Sequence, residues 1–431
     1  MKRMFLALLA VASMATPAAA TDGHYLHGVG AVNSSMGGAG VAAPRSLLGT
    51  FYLNPAGLMA FDGYRIEFGF EMFKADRTVA SNLPGLGSGS TRSKSEYTPI
   101  PAMGVSYRLN NDKVVVGLGA VGVGGFGVDY PQDNTNPVLG PAPNGFGQVY
   151  SNYSYLQIAP SIAWAVTPKL WLGGAVNVNW ASLAVVPNPT ASPAASMANG
   201  MPVLYYSDAA ASDGAFGFGF QLGAMYKIND IISLGASYSS TQVFDEFVWN
   251  SVYKNPNLTT FGQARVDSFQ MDAPAVIAGG IGLNPLPGLS LAGDVRWITY
   301  SSTEGFEKSG FDPTGKVLGF GWEDIMVIAV GGEYWVTESF ALRAGYNHSD
   351  NPIPDDLSFY NIPAPAIVQD HFTFGLGLKP GRRSEISLGY YYVPENSQSG
   401  PLPNPMVPPG STVTNKMTES SLLIQFTIWG K

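Results

Sequence analysis

From residue 63 onward, apolar and polar side chains alternate in stretches bounded by Gly, Pro, Asn and Asp, the period of strands with one greasy and one wet face. Fourteen strands are predicted, near 63–74, 97–109, 113–128, 150–166, 170–185, 214–228, 231–248, 265–283, 289–301, 323–336, 340–349, 370–379, 384–394 and 417–429. Every second connection is a tight turn: Asn110-Asn111-Asp112, Thr167-Pro168-Lys169, Asn229-Asp230, 284–288, Thr337-Glu338-Ser339 and 380–383. The others are long and rich in Pro, Asn, Ser and Gly, among them 131–149, 187–213 and 395–416. Short turns at one end and long loops at the other predict an all-β fold, a 14-stranded antiparallel transmembrane β-barrel with both chain ends on the periplasmic side.

The same period assigns faces. In the stretch 340–349, Leu342, Ala344 and Tyr346 are expected to meet lipid, while Arg343, Gly345 and Asn347 point inward. Pairing Val336 with Phe340 across the turn sets Glu333 beside Arg343, an interior ion pair. A slip by one residue would turn one of these charges toward lipid, at about 2–4 kcal/mol near the midplane. Asp294 and Arg296, alternating with Leu291, Val295 and Trp297, take the same inward role.

Composition narrows the class further. With 52 Gly, 12% aromatic and 13% charged residues, the chain is too polar for a bundle of membrane helices and too glycine-rich and charge-poor for an ordinary soluble enzyme. Lys2 and Arg3, the apolar run Phe5 to Val11 and Ala18-Ala19-Ala20 read as an export signal over 1–20, cleaved before Thr21, which directs the chain to the outer membrane of a Gram-negative bacterium. Removing Lys2 and Arg3 takes the 23 basic residues to 21 against 31 acidic ones, a net charge of −10 that argues against nucleic acid as a partner. The absence of cysteine removes disulfides, thiolate metal sites and Cys nucleophiles. The four histidines, His24, His27, His348 and His371, lack metal-ligand spacing; His24 and His27 read as a flexible tail, and Asp370-His371 lacks a third member for a triad. Neither an enzyme nor a cofactor or metal is expected.

Residues 21–62 do not alternate. The run Ser35-Met36-Gly37-Gly38-Ala39-Gly40-Val41-Ala42, followed by Tyr52-Leu53-Asn54-Pro55-Ala56-Gly57, resembles the amino-terminal hatch of the FadL/TodX outer-membrane transporters of long-chain fatty acids and hydrocarbons. Gly321-Trp322-Glu323-Asp324, Leu342-Arg343-Ala344-Gly345-Tyr346 and Asn351-Pro352-Ile353-Pro354 extend the similarity through the chain. Taken alone, Asn54-Pro55-Ala56-Gly57 is a weak signal, since Asn before Pro often caps a helix. The resemblance implies a signal peptide at 1–20, a plug with short helices at 21–62 and a barrel at 63–431. It also implies a monomer, substrate captured at the outer loops and released sideways, and contact with membrane lipid, lipopolysaccharide and the barrel-assembly machinery. One departure from the family pattern is the ending Ile428-Trp429-Gly430-Lys431 in place of a terminal aromatic residue, from which a shifted or weaker assembly signal is expected.

The third predicted strand, 116–127, holds six glycines, and glycine in a strand weakens pairing and permits bulges. In the resembled family this strand kinks inward and opens the wall, so Gly119, Gly122, Gly124 and Gly125 are candidates for a lateral exit. The competing reading is that they make room for Phe51 or Tyr52 of the plug. Candidate ligand-lining residues are Phe51, Tyr52, Leu53 and Leu58 of the plug and Phe146 and Leu204 of the loops. Burying about eight methylenes at roughly 0.8 kcal/mol each gives about 6 kcal/mol, on the order of tens of micromolar. Passive uptake of hydrophobic small molecules is the expected function, with long-chain fatty acids first, aromatic or alkane hydrocarbons second and a general diffusion porin third.

Overall fold

The computed structural model describes residues 22–110, 112–142, 144–198, 201–403 and 407–431, so the expected export signal lies outside the described residues. Fourteen strands close into an antiparallel barrel: β1 Tyr64–Leu83, β2 Tyr97–Arg108, β3 Val114–Tyr130, β4 Val149–Ala165, β5 Leu170–Val186, β6 Ala215–Lys227, β7 Ile232–Ser239, β8 Val276–Leu286, β9 Leu289–Ile298, β10 Ile325–Trp335, β11 Phe340–Ser349, β12 Asp370–Gly381, β13 Ser384–Pro401 and β14 Thr412–Gly430. Each pairs with its neighbours in sequence. The seam joins β14 to β1 from Tyr64↔Gly430 to Asn82↔Thr412, so the first and last strands leave no free edge.

Alternation sorts the side chains. On β11, Leu342 is 44% exposed while Ala341 and Arg343 are buried. On β9, Leu291, Val295 and Trp297 face out while Asp294 and Arg296 face in. Apolar side chains thus cover the lipid face and polar ones face the lumen.

Two predicted strands break differently. The stretch expected at 231–248 leaves the wall at Ser239; Val243–Phe244 then pairs back on β6. Phe247–Val252 forms an outer hairpin with Ala264–Phe269, taking the first part of the stretch expected at 265–283. The period continues through both breaks because the hairpin also has a buried face, with Phe247 and Trp249 inside. Pro274, which cannot donate to a ladder, lies just before β8.

Residues 22–61 lie within the barrel, against inward-facing residues around its wall. Their elements are α1 Gly30–Ser34, α2 Leu47–Leu53 and a 3₁₀ helix at Pro55–Ala60. Ser46 caps α2 by accepting from Gly49 N (3.1 Å). Asp22, the first described residue, is fully buried, so the N-terminal end of the described chain sits in the lumen rather than at the periplasmic rim.

Candidate transport path

The N-terminal segment is held by wall glycines. Phe51, fully buried, packs where Gly104, Gly117 and Gly119 leave room; a Cβ on Gly119 would lie 2.6 Å from its ring. Gly119 is therefore occupied with making space, and it lies in the stretch of β3 still paired to β2. Asn54 ends α2 and starts the 3₁₀ turn: its Oδ1 accepts from Ala56 N (3.0 Å), and its Nδ2 donates to Val41 O (2.8 Å) and Ala224 O (3.2 Å). Pro55 and Ala56 press their backbone onto Gly173, and Gly57 packs against Pro44. Leu58 is buried in a cluster with Leu47, Phe51 and Trp171 near the short-turn end. Tyr52 donates to Leu26 O (2.6 Å), its carbonyl accepts from Gln221 Nε2 (3.0 Å), and with Leu53 it lines a cavity of ≈ 40 Å³ beside Tyr155 and Arg296.

The wall is interrupted between β2 and β3. Their pairing runs from Arg108↔Val115 to Ala102↔Val121 and stops, although both strands continue. On β2 the unpaired part carries Pro99 and Pro101, and on β3 a bulge at Val123 separates Gly122↔Leu156 from Gly124↔Tyr155. There the N-terminal segment takes the place of β2: Gly125 N donates to His24 O (2.8 Å) and Leu26 N to Val123 O (2.9 Å). Gly124 lies under the His24 carbonyl, whereas a Cβ on Gly122 would meet Ile100 (2.8 Å) across the interruption. Higher up, Lys94 N donates to Asp129 O (2.8 Å) and closes the window.

Around the start of the segment the lumen is filled by aromatic rings, Tyr25 of the segment itself with Phe126, Tyr153, Tyr155, Phe306 and Trp322. His24 and His27, expected in a flexible tail, are instead buried here. Both were misread because a short polar stretch gives no sign that rings from distant strands will enclose it. Burial drives both imidazoles down to about 3, so both are neutral near pH 7. Asp22 Oδ2 lies 3.2 Å from Arg296 Nη2; burial raises its carboxyl to about 6 against the opposing pull of Arg296.

Outside, the loops enclose an apolar groove of ≈ 40 Å³ lined by residues including Phe146, Tyr206, Phe311, Phe359 and Ile362. Phe146 and Phe359 rings lie 5.5 Å apart. Leu204 does not join them: it is 39% exposed on an outer hairpin, beside Gly315, and Tyr206 is the residue of that segment in the groove. In the opposite wall, Glu333 stands across from Arg343 in register, and Arg343 Nη2 lies 2.7 Å from Glu333 and 2.6 Å from Glu385 of β13. Glu385 was missed; its alternation with Ile386 was the available signal. Asp370 turns to His348 (2.8 Å) rather than toward His371, which is buried on the other face.

The profile of a family described as outer membrane protein transport protein (OMPP1/FadL/TodX) matches residues 9–424. A curated outer membrane protein of Neisseria meningitidis serogroup B is 24% identical over 442 residues, covering 91% of this chain and 90% of that protein. Among solved structures, the Pseudomonas putida toluene transporter TodX is 18% identical with a TM-score of 0.70, covering 94% of this chain and 99% of that one. A Pseudomonas aeruginosa FadL homologue is 15% identical with a TM-score of 0.68 and the same coverage.

Proposed function

Because the chain belongs to the OMPP1/FadL/TodX family of outer-membrane transport proteins, we propose that it takes up hydrophobic small molecules passively, with residues 22–62 as a hatch and the β2–β3 window as a lateral exit. Cargo is captured in the outer groove at Phe146, passes the hatch and leaves through the wall beside Gly122, Gly124 and Gly125. The carrying observation is the interrupted β2–β3 pairing opposite a lumen filled by the chain's own N-terminal segment. A water-filled porin needs an open lumen, and the filled interior favours a route for greasy molecules instead.

Long-chain fatty acids lead on the family resemblance alone. Two buried arginines favour uncharged cargo, because Arg296 already faces Asp22 and Arg343 already faces Glu333 and Glu385. At either of these arginines a carboxylate would have to displace a buried partner. The toluene transporter TodX, whose solved structure shares this fold, is in keeping with that preference.

The native chain has no cysteine, so one disulfide can be placed without competition. Ile100→Cys with Gly122→Cys spans the window. Oxidised protein is expected to lose most uptake of a labelled hydrocarbon in whole cells and to regain it on reduction; equal uptake in both redox states would eliminate the lateral exit.

A further inference from the structure

His24 sits in an aromatic cage. Its imidazole stacks on Phe306 at 5.3 Å with 5° between planes and on Tyr25 at 4.5 Å and 28°, and meets the edges of Tyr153 (5.8 Å) and Tyr300 (5.5 Å), with Trp322 at 6.3 Å. Offset stacks and edge contacts at these distances are how aromatic rings pair favourably. Tyr300 Oη accepts from His24 N (2.9 Å) and lies 3.0 Å from Nδ1, which it serves as donor when the neutral ring carries its proton on Nε2. Nε2, equally buried, finds no partner among the described residues.

We propose that the His24 imidazole is a built-in occupant of a substrate site, and that the site's true ligand is a single uncharged aromatic ring bearing one hydrogen-bonding group, as in a phenol. The proposal deepens the transport reading above and rests on it. The cage fixes the flat shape, Tyr300 Oη meets the polar substituent, and the far edge of the ring meets apolar surroundings. A phenol with an apolar para position meets all three demands. Imidazole meets two, since its second nitrogen is buried without a partner, and that defect makes it displaceable. A long acyl chain meets none, having neither ring nor neutral polar end. Sequence distance hid the site: Tyr153, Tyr300, Phe306 and Trp322 come from opposite sides of the wall and from loops.

Isothermal titration of the purified protein in detergent with p-cresol, toluene and palmitate tests the idea. His24→Ala is expected to bind p-cresol at least tenfold more tightly than the native protein, whereas His24→Phe, which keeps a ring in the cage, gains nothing. Adding Tyr300→Phe to His24→Ala should bring p-cresol down to the affinity of toluene. Equal p-cresol binding by native protein and His24→Ala overturns the proposal, as does a gain in His24→Phe matching that of alanine. Should the variants fail to fold, judged by heat-modifiable mobility, native protein decides: p-cresol should speed amide exchange at residues 22–27, palmitate should not, and unchanged exchange with p-cresol overturns the proposal. Whole-cell uptake is read separately. Native protein that carries no apolar molecule removes the transport reading, whereas intact uptake with a flat titration removes the His24 assignment alone.

Discussion

The wall from β10 to β13 and the wall at β2–β3 solve the same problem in opposite ways. Along β10–β13 every strand pairs with its neighbours nearly end to end, and Arg343 is answered within the wall by Glu333 and Glu385, with Arg45 of the N-terminal segment 3.9 Å from Glu333. At β2–β3 the ladder ends at Ala102↔Val121, and β3 finds its partners in the hatch backbone. Strands that satisfy one another stay shut. A strand edge satisfied by another segment's backbone depends on that segment staying in place, since unsatisfied backbone in a membrane is costly unless it lines a cavity.

Breaking the closed wall should have the largest effect. Arg343→Met leaves Glu385 buried without its cation and Glu333 with only Arg45 at 3.9 Å and is expected to cost about 3–5 kcal/mol, read as a lower urea midpoint in detergent, with uptake per folded molecule unchanged. On the other side, Gly119→Leu drives a side chain into Phe51 and is expected to cost about 1–3 kcal/mol through overpacking. It should also raise single-channel conductance in planar bilayers as the hatch lifts; a silent, fully stable variant would mean the hatch does not depend on that contact.

Acid should loosen the hatch next. His24 and His27, held near 3 when docked, return toward 6.5 when released, so each favours docking above pH 6.5 and loses that contribution as pH falls. Asp22, held near 6, opposes them below that value because its docked form keeps the proton. Within residues 22–30 the two histidines outnumber the aspartate, so that stretch takes up protons on balance when it is released. Amide exchange at residues 22–30 should therefore quicken as pH drops from 6.5 to 5; slower exchange in acid would reverse the assignment. The smallest effect belongs to Asn54→Ala, which removes a cap and is expected to cost about 1 kcal/mol, seen as faster exchange confined to residues 54–60.

Much of the architecture was legible because alternation writes a barrel's two solvents directly into the chain. The faces of β11 and the register that opposes Glu333 to Arg343 could be read from the β10–β11 hairpin, and those of β9 from its own alternation. Strand partners were less legible. The period of Phe247 and Trp249 belongs to a hairpin outside the wall, and alternation cannot say which neighbour a strand will choose. The interior was least legible of all. Room for Phe51 was foreseen on β3, but not the share that Gly104 of β2 contributes, and apart from Tyr25 the rings around His24 come from positions more than a hundred residues away.

The seam between β14 and β1 carries a consequence for biogenesis. Residues 22–61 precede the first strand yet end up encircled by all fourteen, and the last strand synthesised is the one that zips onto the first. The ring must therefore either form around its contents or admit them while that final joint is still open. Once nineteen opposed residue pairs lock from Tyr64↔Gly430 to Asn82↔Thr412, the cork cannot be fitted to a finished bottle.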